Sequence, residues 1–526
     1  MRAARGRLVD GAGRPTLLQG VGLGNWLLPE GYMFRFFPPA PQSPREIEAL
    51  VVDLVGDEHA AEFWQGFREH WIGERDIAAI AAAQMNHVRL PINARFIMDD
   101  DGVLVEVGIG LVDRLIESCR AHGLWVILDL HGAPGGQTGT NIDDSPNGAP
   151  ELFTDGRYRE LTVALWRMLA ERYADDTTVA GYDLLNEPLP EPHRREDSGA
   201  LARLYRDLTA AIREVDANHL IVYEGTHWAT NWKIFTEVWD DNSALSFHKY
   251  WSPPDRSSIA PYLERREALG LPIYMGEGGE NGLGWLQTAF QLYDDCDISW
   301  NFWPWKKIDT YSSPCSVVPP PGWNELVGYA RGGSRPSRDE AADTLRALVD
   351  AMKFENCAYR PEVISALRRL APVRLSAAAF GFRGPGSSYG TSAATPLTGF
   401  RDDDRVTVRP IGAPASGVSF DYTDGPDRQE QRWEVELAAG DWVVYEFGLA
   451  EPTVVQVTVS GEPSLGGDVN IAIDEGRLSC RAIPGGWQAA THAALPAGRH
   501  AVRVVCGDGD VTLTAVSIRP SSRRKT

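Results

Sequence analysis

Cysteine is scarce in this chain, and its spacing limits the kinds of site that the chain can build. The six cysteines among 526 residues include no CxxC pair and none of the spacings typical of zinc or iron–sulfur sites. No cysteine-based metal centre is therefore predicted. The sequence leaves open a disulfide between Cys480 and Cys506, and most of the cysteines are expected to be buried free thiols.

Basic residues are too few to balance the acidic ones. Lysine and arginine together number 51, against 72 aspartates and glutamates, which gives a formal net charge of −21. Nucleic acids and anionic membranes both bind basic surfaces. Neither is therefore expected as a partner.

Long apolar runs are missing as well. The sequence contains no apolar run of about 18 residues, the length that a membrane-spanning helix needs. The basic residues near the N-terminus precede no apolar segment of the kind found in a secretory signal. The expectation is a cytoplasmic protein, or a secreted one whose signal has been removed, and the oligomeric state is left open.

Short apolar runs, in contrast, recur through residues 16–305 and alternate with stretches of helical spacing. This alternation predicts βα units. The runs are nearly continuous in apolar character, which predicts parallel strands covered on both faces. We therefore predict an α/β fold, a (β/α)8 TIM barrel. A doubly wound open sheet is the alternative, but no GxGxxG motif follows the first strand to support it.

Composition changes soon after residue 372, where glycine, serine, alanine and proline become frequent. From residue 406 onward, short alternating runs separated by turn residues predict an all-β sandwich. The predicted organisation is a catalytic barrel at residues 1–372, a linker or irregular start of a second domain at 373–405, and a jelly-roll-like β-sandwich at 406–520. Residues 337–370 are helical in pattern and are expected to complete the outer ring of the barrel.

Two of the apolar runs end on a glutamate. Residues 179–188, VAGYDLLNEP, lead to Glu187, and residues 271–279, LPIYMGEGG, deliver Glu277 into a run of glycines. A turn with a solvated glutamate would explain either run alone. Two strand-end glutamates in a barrel instead indicate a paired-carboxylate site, because barrel enzymes place their catalytic groups at the carboxyl ends of the strands.

Further polar and aromatic residues fall at or near predicted strand ends. They are Arg89, His131, Asn186, His248, Tyr250 and Trp303. Each has an ordinary explanation by itself, as an ion-pair former, a core histidine or a core aromatic residue. Their recurrence at the ends of successive strands favours a common site.

This constellation resembles glycoside hydrolase family 5, a family of retaining (β/α)8 glycosidases. The family carries an Arg on strand two, a His ending strand three, an Asn-Glu pair ending strand four, a His and a Tyr on strand six, a Glu ending strand seven and a Trp on strand eight. The stretches LQGVGLGNWL at residues 18–27 and DLHG at 129–132 resemble its exo-glucanase-like branch. The resemblance covers about residues 7–310. One departure is a second acid, Glu280, soon after Glu277.

The resemblance implies hydrolysis of a β-glycosidic bond by double displacement. It assigns Glu187 as the acid/base and Glu277 as the nucleophile. It further implies that Arg89 and Tyr250 hold Glu277 ionised and aimed, and that Asn186 binds the sugar 2-hydroxyl.

The remaining implied roles concern the sugar subsite. His131 and His248 would shape it, and Trp303 would form its floor. No metal or cofactor is implied, and the partner would be an oligosaccharide or glycoside substrate. An exo-acting enzyme for β-glucosides or short β-glucans is the main hypothesis. The alternatives are the same mechanism on a furanoside, as in an arabinofuranosidase or galactofuranosidase, and a catalytically silent sugar-binding barrel.

The C-terminal segment resembles carbohydrate-binding modules of the jelly-roll kind. The resemblance rests on GDWVVY at residues 440–445 and LPAGRHA at 495–501. The segment offers three tryptophans that could stack on sugar rings or fill the hydrophobic core, namely Trp433, Trp442 and Trp487. Sugar binding and a purely structural role are therefore both left open.

Overall fold

The barrel predicted from the sequence is present and closes through eight parallel strands. The computed structural model describes residues 1–191, 193–392, 398–412, 418–426, 428, 430–464 and 467–521. Strand β8 pairs with β1, which closes the ring. In chain order the strands are β1 (Gln19–Gly22), β2 (His87–Asn93), β3 (Trp125–Gly132), β4 (Val179–Asp183), β5 (Leu220–Glu224), β6 (Ser243–Lys249), β7 (Ile273–Gly279) and β8 (Ser299–Trp303).

Burial explains why these runs read as continuously apolar. Every residue of β2 and of β4 to β8 is buried. Parallel barrel strands have helices on one side and the filled barrel interior on the other, so neither face meets water. The charged residues inside these strands therefore require partners in the interior.

Helices lie between and after the strands. Residues 337–370, predicted as one helical stretch, form two helices, α10 and α11. A 3-10 turn at Phe354–Asn356 and the short strand Ala358–Tyr359 lie between them. Pro361 begins α11, where its missing N–H costs no helical hydrogen bond. The helices are α1 (Pro44–His70), α2 (Glu74–Ala82), α3 (Ala94–Ile97), α4 (Glu106–His122), α5 (Gly156–Tyr173), α6 (Arg194–Arg213), α7 (Arg256–Leu269), α8 (Leu283–Asp295), α9 (Trp323–Ala330), α10 (Arg338–Ala351) and α11 (Pro361–Arg368).

Helix α8 is an element that the sequence analysis left out. Its apolar residues Leu286, Ala289, Phe290 and Tyr293 recur at helical spacing. The polar side chains of Gln287 and Gln291 are buried as well, so residues 285–293 are buried without interruption. The helical period of α8 was therefore present in the sequence.

The chain forms two compact units. The first contains Met1–Lys249, Tyr262–Gly279 and Ser299–Tyr359, and the second contains Tyr250–Pro261, Glu280–Ile298 and Arg360–Thr526. Helix α8 belongs to the second unit, in which Gln287 donates to the backbone oxygen of Arg374 at 2.8 Å. The linear boundaries at residues 372 and 405 stay predictions, and residues 393–397 of the predicted linker lie outside the described residues.

Two sheets with antiparallel pairing make up the C-terminal part of the second unit. Alternating residues of both sheets form one apolar core, which includes Val435 and Val457 from the larger sheet and Val443 and Tyr445 from the smaller. This arrangement confirms the predicted all-β domain. The larger sheet contains Val373–Ser376, Thr407–Ile411, Arg432–Leu437, Val455–Ser464, Cys480–Ile483, Gly486–Ala490 and Asp510–Pro520, and the smaller contains Tyr389–Gly390, Trp442–Leu449, Val469–Ile473, Gly476–Leu478 and Gly498–Cys506.

All six cysteines are free. The disulfide left open between Cys480 and Cys506 is therefore absent from this structure. None of the helices in the described part of the chain has the length and apolar character needed to cross a membrane.

The three tryptophans considered as sugar platforms are placed differently in the C-terminal sheets. Trp433 is 7% exposed and Trp487 is 4% exposed, so both belong to the core. The ring of Trp433 lies 4.4 Å from that of Phe400, centroid to centroid. Trp442 is half-buried, and the guanidinium of Arg503 lies 3.9 Å from its ring centroid.

We expect Trp433→Ala to destabilise the second unit by about 3–5 kcal/mol, because it removes a large buried ring and leaves a cavity. Thermal unfolding of the variant measures this loss. Trp442→Ala is the matched control and should cost less, since that ring is half-buried. A Trp433→Ala protein with unchanged unfolding but weaker retention on an insoluble β-glucan would instead show that Trp433 is a sugar platform.

Candidate active site

The carboxyl ends of the barrel strands bring most of the predicted site residues into one cluster. Each side chain of the cluster contacts at least one other. Tyr250 follows β6 directly and belongs to the second unit, so its role beside Glu277 stays a prediction. The cluster contains Arg89 on β2, His131 on β3, Asn186 and Glu187 after β4, His248 on β6, Glu277 on β7 and Trp303 on β8.

Arg89 is fully buried and lies at the centre of the cluster. Its Nη1 donates to Oε1 of Glu277 at 2.6 Å, and its Nη2 donates to Oδ1 of Asn186 at 2.9 Å. A buried guanidinium needs paired charge, and its fixed fork of donors gives each partner a defined position. Its other partners are three buried acids, Asp183 at 2.9 Å, Glu224 at 3.0 Å and Asp129 at 3.1 Å.

Glu277 has a side chain that is only 5% exposed. Burial raises the pKa of Glu277, while the positive charges of His248 and Arg89 act in the opposite direction and Glu187 adds to the rise. The net direction is upward. Ionisation of this carboxyl therefore depends on the two cations beside it.

Glu187 is held in an unusual main-chain conformation. Strand β4 ends at Asp183, and the following Leu184 and Leu185 are fully buried. Glu187 then has a φ of 47°, in the left-handed region that is costly for a residue with a side chain. Its N–H donates to Oε2 of Glu224 at 2.6 Å, and its Oε1 lies 2.6 Å from Nδ1 of His248.

The two predicted catalytic glutamates are close together. A carboxylate oxygen of Glu187, a carboxylate oxygen of Glu277 and a ring nitrogen of His248 lie within 4.8 Å of one another. Nδ1 of His248 lies 2.6 Å from Oε1 of Glu187, so these two side chains are engaged with each other.

His131 and Trp303 form one wall of the cluster. Their rings stack with centroids 5.5 Å apart and an interplanar angle of 9°. Nδ1 of His131 lies 2.7 Å from Oδ2 of Asp129. Burial lowers the pKa of His131, but the carboxylates of Asp129 and Glu277 outweigh it and raise the pKa above its usual value.

The position of Trp303 depends on two contacts with the first strand and the loop after it. Trp303 donates its indole N–H to the hydroxyl of Tyr32 at 2.8 Å. A Cβ on Gly22 of β1 would lie 2.4 Å from Cε3 of Trp303. Only glycine at position 22 leaves room for the indole.

Sequence reasoning missed three buried acids that contact the cluster through Arg89, namely Asp129, Asp183 and Glu224. Glu224 is the last residue of β5 and obeys the same strand-end rule as the two predicted glutamates, so that rule should have found it. Asp129 and Asp183 lie inside apolar runs, where an unexplained charge is itself informative. Burial and the neighbouring Glu224 raise the pKa of Asp183 well above its usual value.

The long loop at residues 132–150, which is rich in glycine and proline, is tied to the strand ends. Gln137 is fully buried, and its Nε2 donates to the backbone oxygens of His131 at 2.7 Å and Asn186 at 3.0 Å. Asp144 accepts from Nδ2 of Asn93 at 3.1 Å. The loop thereby fixes the chain at the ends of β2 and β3 and just after β4.

The match of this chain to a known family covers the region of these residues. Residues 56–309 match the family model described as Cellulase (glycosyl hydrolase family 5). That segment contains every member of the cluster, from Arg89 to Trp303.

Curated relatives also match the chain. A protein named Beta-xylosidase from Phanerodontia chrysosporium is 28% identical over 67% of this chain and 78% of its own. Endoglucanase C from Acetivibrio thermocellus is 27% identical over 46% of this chain and 87% of its own. Probable glucan 1,3-beta-glucosidase A from Emericella nidulans is 31% identical over 49% of this chain and 66% of its own.

Proposed function

We propose that this chain acts by a retaining double-displacement mechanism. Its residues 56–309 form a glycosyl hydrolase family 5 domain, and the chain is accordingly an O-glycosyl hydrolase for β-glycosides. The separation of the two glutamates carries the proposal. Their oxygens lie within 4.8 Å of each other. Retaining enzymes have carboxyl groups about 5–5.5 Å apart, whereas inverting enzymes need about 6.5–9.5 Å to admit a water molecule.

In the first step, a carboxylate oxygen of Glu277 attacks the anomeric carbon while Glu187 donates a proton to the departing oxygen. Oε1 of Glu187 faces Nδ1 of His248 at 2.6 Å, and we assign the transferred proton to Oε2. In the second step, Glu187 takes a proton from water, the resulting hydroxide attacks the same carbon, and Glu277 leaves as a carboxylate.

The surrounding residues have roles that follow from their contacts. Arg89 and His248 stabilise the negative charge of Glu277 before attack and after release. Asn186 is held by Arg89, and we assign it to the sugar 2-hydroxyl. His131 and Trp303 form the wall against which the sugar ring would pack, and Tyr250 is assigned to Glu277 as a further partner.

For the substrate, we propose exo-cleavage of β-glucosides or short β-glucans. The relative named glucan 1,3-beta-glucosidase supports this choice, and the loop at residues 132–150, anchored at the strand ends, is suited to close one end of a cleft. The relative named Beta-xylosidase makes a β-xyloside the second candidate.

A panel of p-nitrophenyl glycosides, including β-glucoside, β-xyloside, α-arabinofuranoside and β-galactofuranoside, tests the proposal. We expect the β-glucoside to react fastest. Proton NMR of that reaction should show the β-anomer of the free sugar first, followed by slow mutarotation, because two displacements at one carbon restore its configuration. Initial appearance of the α-anomer would contradict retention, and a faster furanoside would contradict the sugar assignment.

A further inference from the structure

Glu224 is a buried carboxylate that neither step of the proposed reaction uses. It ends β5 and is fully buried. Its Oε1 lies 3.0 Å from Nη2 of Arg89 and 3.0 Å from Nε2 of His248, and its Oε2 accepts the N–H of Glu187 at 2.6 Å. One side chain thus contacts three residues of the cluster.

The contact with the main chain bears on the acid/base. The φ of 47° at Glu187 is a conformation that persists only where surrounding contacts impose it. The hydrogen bond from the Glu187 N–H to Glu224 is a charge-assisted contact of that kind. It fixes the peptide from which the Glu187 side chain reaches the sugar.

The contact with His248 bears on charge. Nδ1 of His248 lies 2.6 Å from Oε1 of Glu187, and Nε2 lies 3.0 Å from Oε1 of Glu224. An imidazole whose two nitrogens both face carboxylate oxygens donates from both only when it is protonated. Glu277 is the third carboxylate beside the ring, with Oε2 at 3.6 Å from Nδ1.

We propose that Glu224 is a positioning residue, which holds His248 as a doubly donating imidazolium and fixes the Glu187 peptide. This one buried carboxylate thereby sets the charge beside the nucleophile, and it also sets the orientation of the acid/base side chain. The proposal rests on the proposed function for its catalytic consequence. Its structural half, the charge state of His248, can be tested without any substrate.

The charges around His248 agree with this geometry. Burial lowers the pKa of His248, but Glu224, Glu277 and Glu187 together raise it well above its usual value. Removal of one negative charge should let the ring lose its proton at a lower pH. Glu224 itself is kept ionised because His248 and Arg89 outweigh its burial and lower its pKa.

The test compares Glu224→Gln with Glu224→Asp and Asp183→Asn. Nitrogen-15 NMR of labelled histidine, with His248 assigned by His248→Asn, follows the ring charge against pH. In Glu224→Gln we expect titration of His248 to fall by one pH unit or more, and kcat on an aryl β-glucoside to fall about 10- to 100-fold.

The other two variants separate charge from geometry. Glu224→Asp keeps the charge but shortens the reach, so it should keep the wild-type titration of His248 while kcat falls. Asp183→Asn removes another buried acid bonded to Arg89 and should leave the titration of His248 close to that of the wild type.

Unchanged titration of His248 in Glu224→Gln would overturn the proposal, as would a wild-type kcat in that variant. If Glu224→Gln does not fold, a downward shift of the titration in Glu224→Asp as large as one pH unit would overturn the charge role instead. Absence of hydrolysis by the wild type on the whole glycoside panel would refute the proposed function alone, since the NMR titration would still decide the role of Glu224.

Discussion

Glu277→Ala should lower kcat on aryl β-glycosides by about 10⁴-fold or more, because no covalent intermediate can form without the attacking carboxylate. The fold should survive the change. Arg89 keeps contacts with Asp129, Asp183 and Glu224, so its buried charge stays paired. Steady-state kinetics and thermal unfolding of the purified variant measure the two effects.

Azide provides a sharper test of the same residue. The anion can enter the space left by the carboxylate and attack the anomeric carbon from the same face. The expected product is the α-glycosyl azide, with part of the lost rate restored. Rescue by azide would not occur in a variant that is inactive because it is misfolded.

Glu280→Ala is the matched control, because Glu280 is the second acid that follows β7. It belongs to the second unit, where its backbone oxygen accepts the indole N–H of Trp251. We expect this variant to retain most of its activity. A nearly normal Glu277→Ala and an inactive Glu280→Ala would show that the nucleophile is Glu280.

Glu187→Ala should produce a loss that depends on the leaving group. Substrates with poor leaving groups need protonation of the departing oxygen and should slow by about 10²- to 10⁴-fold in kcat/KM. Activated aryl glycosides, such as a dinitrophenyl glycoside, need little protonation and should show little loss in that parameter. Kinetics on a series of aryl glycosides of graded leaving-group acidity measures the difference.

The second half of the reaction gives Glu187→Ala a further signature. Without a base to activate water, the glycosyl-enzyme should accumulate on activated substrates, giving a burst and a low apparent KM. The alkaline limb of kcat/KM, which reports loss of the acid's proton, should flatten. Equal losses on good and poor leaving groups, with an unchanged alkaline limb, would exclude Glu187 from the acid/base role.

Much of this site was predictable because strand ends can be recognised in the sequence. The runs that contain Glu187 and Glu277 are apolar over most of their length and then break at glycine or proline. A closed parallel barrel directs all such ends to one rim. The same reasoning applies to β5, whose last residue is Glu224.

Other features could not be predicted, for reasons that lie in the packing. Gln287 and Gln291 of α8 are buried, which follows from tertiary contacts such as the one between Gln287 and the backbone oxygen of Arg374. The segment between α10 and α11 contains the strand Ala358–Tyr359, which pairs with Cys315–Val317, and no local pattern encodes a pairing between such distant segments.

The sequence by itself determined the barrel and the residue types at its rim, since both follow from apolar runs and their ends. Only the tertiary structure decided which charges meet. Arg89 and Glu277 are 188 residues apart and lie 2.6 Å from each other, and Glu187 and His248 are 61 residues apart at the same distance. Such pairs form only when the barrel closes, because the order of the strands and their register set which inward side chains face each other. No local sequence pattern encodes that order or that register.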